Sequence, residues 1–180
     1  MPHYAAFLRA INLGSHRRVA GSQLCEQFQA LGLEEVSTFR TSGNVAFQAG
    51  SETSRGELGP QIAAQLEQAL GYPIEVFLRS ADEVRKIAAH GPFDDTLVAA
   101  SQGKVQVTLL RTKPGATVRR NVLTLTGDDD HLAFAGRELY WLPSAGTQQS
   151  ALDWKQIGRA LGPTTMRTQG TVELMAAKYF

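Results

Sequence analysis

Between residues 4 and 79 the chain alternates short apolar runs with helical periodicities in a fixed order, and at Val105 that order begins again. Ala5 to Ile11 is a short apolar run that gives way to Asn12 and Gly14, the pattern of a buried strand entering a polar loop. Leu24, Phe28 and Leu31 then recur at helical spacing from about Ala20 onward, and Gly32 supplies a stop. Val36 to Arg40 and Asn44 to Gln48 alternate apolar and polar residues around Thr41-Ser42-Gly43, which predicts a tight hairpin. A longer helix is predicted from Glu57 to Leu70, with Leu58, Ile62, Leu66 and Ala69 on one face and Gly71 at its end, and Ile74 to Leu78 reads as a strand.

Strand, helix, strand, strand, helix, strand is the order of a ferredoxin-like plait, a four-stranded antiparallel sheet with two helices on one face. After a short helix over Asp82 to Ala89 and a polar connector through Ser101-Gln102-Gly103, the second round has strands at Val105 to Arg111, His131 to Ala135, Leu139 to Leu142 and Thr164 to Arg167. Leu152 to Leu161 supplies its second helix, and Val172 to Tyr179 predicts a closing helix. Its first helix must fall within Ala116 to Leu125, although Val122-Leu123-Thr124-Leu125 has the local propensity of a strand. Three pairs support a duplication: Leu8-Arg9 with Leu110-Arg111, Gly43 with Gly136, and Gly71 with Gly162, each separated by roughly 90 to 100 residues. The expected class is α+β, two tandem ferredoxin-like plaits with antiparallel sheets plus a C-terminal helix, divided as 1–80, a helical connector 81–103, and 104–180.

The 180 residues carry 18 basic and 17 acidic side chains, so no global field favours nucleic acid or an anionic membrane and any such partner must be read from local charge. Cys25 is the only cysteine, which excludes an intrachain disulfide and every cysteine-cluster metal motif. His3, His16, His90 and His131 have no ligand spacing, and Asp128-Asp129-Asp130 lacks the glycine and glutamate of a calcium loop and reads as a solvated acidic turn. No metal and no cofactor is expected. The apolar start is too short for a signal sequence, and no stretch approaches the roughly 18 apolar residues of a membrane span, so the expectation is a soluble cytoplasmic protein without a membrane partner. Cys25 near a helix start reads as an inert, half-buried thiol.

Phe7-Leu8-Arg9-Ala10-Ile11-Asn12-Leu13-Gly14, the hairpin Ser42-Gly43-Asn44-Val45, and Thr164-Thr165-Met166-Arg167 followed by Thr171-Val172 together resemble one family of uncharacterised bacterial proteins, domain of unknown function 1697. The resemblance runs nearly end to end and implies a tandem ferredoxin-like fold, with no established activity. After the arginine the family reads Asn-Trp-Asn-Thr where this chain has Thr168-Gln169-Gly170-Thr171, so the family's tryptophan is missing while Arg167 and Thr171 keep their places. The resemblance thereby adds Arg167 to the binding candidates.

The plait's topology brings the end of the first strand, the hairpin and the start of the first helix to one sheet edge. A helix start offers unpaired N–H groups and partial positive charge, and glycine permits close backbone approach. Arg9, Arg17 and Arg18 all precede the first acidic residue, Glu26. This edge is the candidate anion site: Arg9 as charge partner, Asn12, Ser42 and Asn44 orienting the ligand, and Gly14 and Gly43 shaping the backbone. Such a site suits a ligand-binding protein or an enzyme acting on a small phosphate- or carboxylate-bearing molecule. The bland reading is that Asn12, Gly14, Gly43 and Asn44 are turn formers and Arg9 pairs internally. The second half has an analogous edge with Arg111, Lys113, Gly115 and Arg137. The alternative function is a protein- or nucleic-acid-interaction module. Phe7 and Phe47 fall on the two central strands where RNA-binding plaits stack bases, but Ser-Gly-Asn-Val-Ala-Phe lacks the basic, aromatic-rich signature, so both read as core.

Overall fold

Tyr4 to Leu8 are buried without interruption, which explains why this stretch is continuously apolar instead of alternating: it is the interior of a strand covered on both faces. The computed structural model describes every residue except 10, 12–18, 51–53, 102, 127–129, 144–146 and 149, and of Arg55 the backbone only. The chain divides into two compact units, Met1–Arg85 with Met175–Phe180, and Lys86–Leu174.

In the first unit the elements are β1 (His3–Arg9), α1 (Gly21–Gln29), β2 (Glu34–Phe39), β3 (Asn44–Gln48), α2 (Arg55–Leu70), β4 (Glu75–Ser80) and the start of α3 (Ala81–Ala89). The sheet order is β2-β3-β1-β4, antiparallel throughout, with Phe7 opposite Asn44 on one side and Arg9 opposite Glu75 on the other. Tyr4, Ala6 and Leu8 alternate onto the face that packs with Val45, Phe47 and the apolar stripes of the helices, Leu24 and Phe28 of α1 and Leu58, Ile62 and Leu66 of α2. Phe47 stacks with Tyr4 at 5.9 Å and meets Phe28 edge-on at 5.3 Å between ring centroids. Ala5, Phe7, Ala46, Phe77 and Arg79 occupy the opposite face and are equally buried.

The second unit repeats the plait: the end of α3, α4 (Asp95–Ala100), β5 (Gln106–Leu110), α5 (Ala116–Leu123), β6 (His131–Ala135), β7 (Glu138–Leu142), α6 (Trp154–Leu161), β8 (Thr164–Thr168) and the start of α7 (Gln169–Tyr179), whose residues from Met175 onward belong to the first unit, with strand order β6-β7-β5-β8. The whole is α+β, two ferredoxin-like plaits in tandem followed by a C-terminal helix. α5 lies where the repeat requires a helix, against the local propensity of Val122 to Leu125. Val118 and Val122, four residues apart, fall on one helix face and pack with Leu110, Leu139 and Trp141, an amount of burial that outweighs a few tenths of a kcal/mol of propensity. α4 is a helix that the polar connector did not predict; its signal was Asp94, whose side chain caps it by accepting from the Thr96 amide at 2.8 Å.

Asp130 corrects the reading of its acidic run as a solvated turn. It is buried, because the indole N–H of Trp141 donates to it at 2.9 Å and the Ser150 hydroxyl at 2.7 Å, so both carboxylate oxygens are satisfied away from water. Asp128 and Asp129 lie outside the described residues, as do Asn12, Gly14, His16, Arg17 and Arg18.

Candidate functional site

The first-half edge is built by backbone before any side chain contributes. β1 ends at Leu8-Arg9, and the Leu8 amide donates to the Gly43 carbonyl at 2.7 Å, which fixes the hairpin residues 40–43 beside the strand end. Gly43 has a φ of +72°, and a Cβ there would come within 2.6 Å of Ile11 Cγ2 and 3.0 Å of Leu8 Cβ, so both backbone conformation and space demand glycine. Asn44 is fully buried; its Nδ2 donates to the Phe39 carbonyl and to Ser42 Oγ, each at 2.9 Å, cross-bracing the turn. Ser42, Gly43 and Asn44 thus share one turn, and the Asn44 amide group serves the hairpin itself.

Arg9 stands at the solvent side of this edge. Its side chain is 49% exposed and its Nη1 lies 3.6 Å from Glu75 Oε2, the carboxylate directly across the β1–β4 pair. Glu75 Oε2 is itself buried, but a pair so long, with the Arg9 side chain half in solvent, contributes about 0 to 1 kcal/mol. Arg40, at the first position of the hairpin, is a second exposed cation that sequence reasoning did not include; its φ of +58° turns the chain, and its Cζ sits 5.4 Å from the Phe39 ring centroid. α1 begins close by: a Cβ on Gly21 would come within 2.6 Å of Thr38 Oγ1, one residue before Phe39. The first turn of α1 has neither a side-chain cap nor an acidic residue.

Arg167 belongs to the other unit. It sits on β8 opposite Val107, 8% exposed, with Nη1 donating to Thr165 Oγ1 at 2.8 Å and to the Met166 carbonyl at 2.7 Å. Burial pushes its guanidinium down to about 10. The first unit holds a matching residue that sequence reasoning missed. Arg79 lies on β4 opposite Ala5, fully buried, with Nη1 donating to the Leu78 carbonyl at 2.9 Å. Since Leu8 and Leu110 make the same amide bond to their hairpins, Ala5 and Val107 are equivalent, and so are Arg79 and Arg167. The signal was available as Leu78-Arg79-Ser80 with Glu83-Val84 against Met166-Arg167-Thr168 with Thr171-Val172.

Cys25 is half-buried, its thiol 3.7 Å from the Val36 carbonyl. Among the described residues no group of three or more His, Cys, Asp or Glu is arranged to hold a metal ion, and no helix is long and apolar enough to cross a membrane.

The model of a family described as a protein of unknown function, DUF1697, matches residues 1–140. The chain belongs to that family. The DUF1697 match takes in the first plait and the second as far as β7, so that α6, β8 with Arg167 and α7 lie beyond it. Among solved structures, a conserved bacterial protein from Streptococcus pneumoniae is similar over 98% of this chain and 97% of that one, with a TM-score of 0.70 at 18% identity. At that identity the likeness establishes the fold, including the portion outside the DUF1697 match. No curated protein matches the chain.

Proposed function

We propose that this DUF1697 protein binds a small phosphate- or carboxylate-bearing molecule at the first-half edge, with Arg9 as the principal charge partner. The observation that supports this reading is the state of Arg9: held in position by the end of a buried strand, half exposed, and engaged to Glu75 only across 3.6 Å. A guanidinium so placed can exchange a long, weak pair for shorter charge-assisted bonds to an anion. Arg40 adds a second exposed cation, Ser42 a hydroxyl, and the braced Gly43–Asn44 backbone a rigid floor. Asn12 and Gly14, in the connection between β1 and α1, complete the set on the grounds of sequence.

The test is calorimetric titration with inorganic phosphate, sugar phosphates and small carboxylic acids. Arg9→Ala should weaken binding by about tenfold to a hundredfold, as expected for losing one charge-assisted bond of roughly 1.5 to 3 kcal/mol. Arg9→Lys should recover part of it, because charge is restored without the planar fork. The melting temperature of Arg9→Ala should stay close to that of the wild type. A wild type that binds none of these ligands, an Arg9→Ala variant that binds as well as wild type, or one that loses its fold would each overturn the reading.

A further inference from the structure

The chain's near-neutral charge conceals an uneven distribution. From Thr96 to Gly127 there is no acidic residue, while Lys104, Arg111, Lys113, Arg119 and Arg120 are basic. The second plait gathers four of these five with a further arginine at one end of its sheet. The Leu110 amide donates to the Arg137 carbonyl at 2.9 Å, and Arg137 Nη1 donates to the Arg111 carbonyl at 3.2 Å, so the loop after β5 and the β6–β7 turn are joined. α5 starts directly after that loop, and its Arg119 lies with Cζ 5.6 Å from the ring centroid of Phe134, two residues before the same turn. Arg111, Lys113 and Arg120 are exposed, and Arg119 and Arg137 partly so. Against these five cations the elements of this end, 111–123 and 136–138, contribute one acid, Glu138, a balance of five minus one.

We propose that this end of the second plait binds the phosphate backbone of a nucleic acid strand without reading its sequence. Four of the five cations are arginine, whose planar fork matches phosphate oxygens, and they are spread over a loop, a helix and a turn, as a chain of phosphates requires and a single small anion does not. The only aromatic ring within this cluster, Phe134, lies beneath Arg119 on the partly buried β6 strand, so bases have no stacking platform and the contact is electrostatic. A membrane surface would call for several apolar anchors beside the charge, whereas the one large exposed apolar side chain of 111–123 is Leu123, at the far end of α5 from the loop. The inference is independent of the small-anion reading, since neither Arg9 nor Arg40 takes part.

Fluorescence anisotropy with labelled oligothymidine and oligouridine of about 20 nucleotides tests it. Binding should weaken as salt rises, with a log–log slope of about −0.7 for each phosphate neutralised, hence roughly −2 to −3 for three to four contacts. The combined variant Arg111→Gln, Lys113→Gln, Arg120→Gln should lose at least about tenfold in affinity and show a flatter salt slope. Should the combined variant melt early, the single changes Lys113→Gln and Arg120→Gln, at exposed positions, should each lose about twofold to fourfold. The proposal falls if the wild type fails to bind either oligonucleotide, if the folded variants bind as tightly as wild type, or if anionic phospholipid vesicles are bound and oligonucleotide does not displace them.

Discussion

The two plaits share their strand order, the bond from a leucine amide to the hairpin carbonyl, and an arginine at the same register on the fourth strand, yet they fill their helix-facing cores differently. In the first, Tyr4, Ala6, Leu8, Val45 and Phe47 present a nearly unbroken apolar surface to a nine-residue and a sixteen-residue helix. In the second, the equivalent positions on the first strand are Gln106, Thr108 and Leu110, two helices of eight residues each cover the face, and Trp141 is tied to buried Asp130. Backbone anchors, not core composition, are what the duplication kept. A ferredoxin-like sheet needs its strand ends pinned and its edge strand turned into a helix; provided these are met, apolar packing and a satisfied polar network serve equally as filling.

The buried arginines test this most severely. Arg79→Ala and Arg167→Ala should each cost about 2 to 4 kcal/mol in urea denaturation, since each leaves a void and removes donors from buried carbonyls. Replacement by methionine should recover most of that loss, because it keeps the volume and removes the cost of burying charge. For Arg167 the pH dependence has a definite sign. With its folded value lowered by burial to about 10, below the ordinary guanidinium value that the unfolded chain keeps, the unfolded chain holds more protons between those two values, so the wild type's stability gains from this group as pH rises above about 10. Below about 10 both states are charged, and the difference between wild type and Arg167→Met should be flat from pH 6 to 9. If only one of the two alanine variants is costly, the arginines are not equivalent anchors.

A smaller contrast separates the hairpins. The first has four connecting residues, 40–43, between Phe39 and Asn44, whereas the second has two, 136–137, between Ala135 and Glu138. Gly43→Ala should cost about 2 to 3 kcal/mol, combining left-handed strain with the 2.6 Å approach to Ile11. Gly136→Ala, with φ of +59° and its nearest neighbour the flexible end of Glu138 at 3.3 Å, should cost only about 1 kcal/mol. Equal losses would mean that conformation alone, not close approach, makes Gly43 necessary.

That contrast also shows how far the fold could be read from residues. Hydrophobic patterning placed every strand of both plaits, and α1 and α2, to within a few residues, because the apolar run Ala5 to Ile11 and the helical stripes Leu24-Phe28 and Leu58-Ile62-Leu66 report burial directly. The glycine pairing that helped to reveal the duplication was right in kind and displaced by one in register: Gly43 and Arg137 are the residues whose carbonyls accept from Leu8 and Leu110. Hairpins of different length put their left-handed residue at different places, which no spacing rule detects. The burial of Arg79 and Arg167 was hidden because arginine is ordinarily exposed; the family resemblance singled out Arg167, and only the repeated Arg-Ser/Thr step betrays Arg79. Of the candidate site, the hairpin and Arg9 were legible from topology, whereas the cross-bracing by Asn44 and the presence of Arg40 depend on turn geometry.

The finest contrast lies where each fourth strand turns directly into a helix. Ser80 forms a reciprocal cap: its Oγ accepts from the Glu83 amide at 3.3 Å, while its own amide donates to Glu83 Oε2 at 2.9 Å. Thr168 makes half of that arrangement, accepting from the Thr171 amide at 3.2 Å and meeting the Thr171 hydroxyl at 2.8 Å, with no carboxylate to satisfy its amide or to oppose the helix dipole. Ser80→Ala should therefore cost about 1 to 1.5 kcal/mol and Thr168→Ala about 0.5 to 1 kcal/mol. Glu83→Thr, which gives the first plait the second's cap, should lie between zero and the Ser80→Ala loss, since the Oγ bond survives and the carboxylate bond does not. Amide exchange at residues 83 and 171 reads the same difference locally, with the Glu83 amide slowed more than that of Thr171 in the wild type and the two drawing level in Glu83→Thr. A Thr168→Ala loss larger than that of Ser80→Ala would show that the second plait leans on its helix start more heavily than the first, and that the simpler cap is not the weaker one.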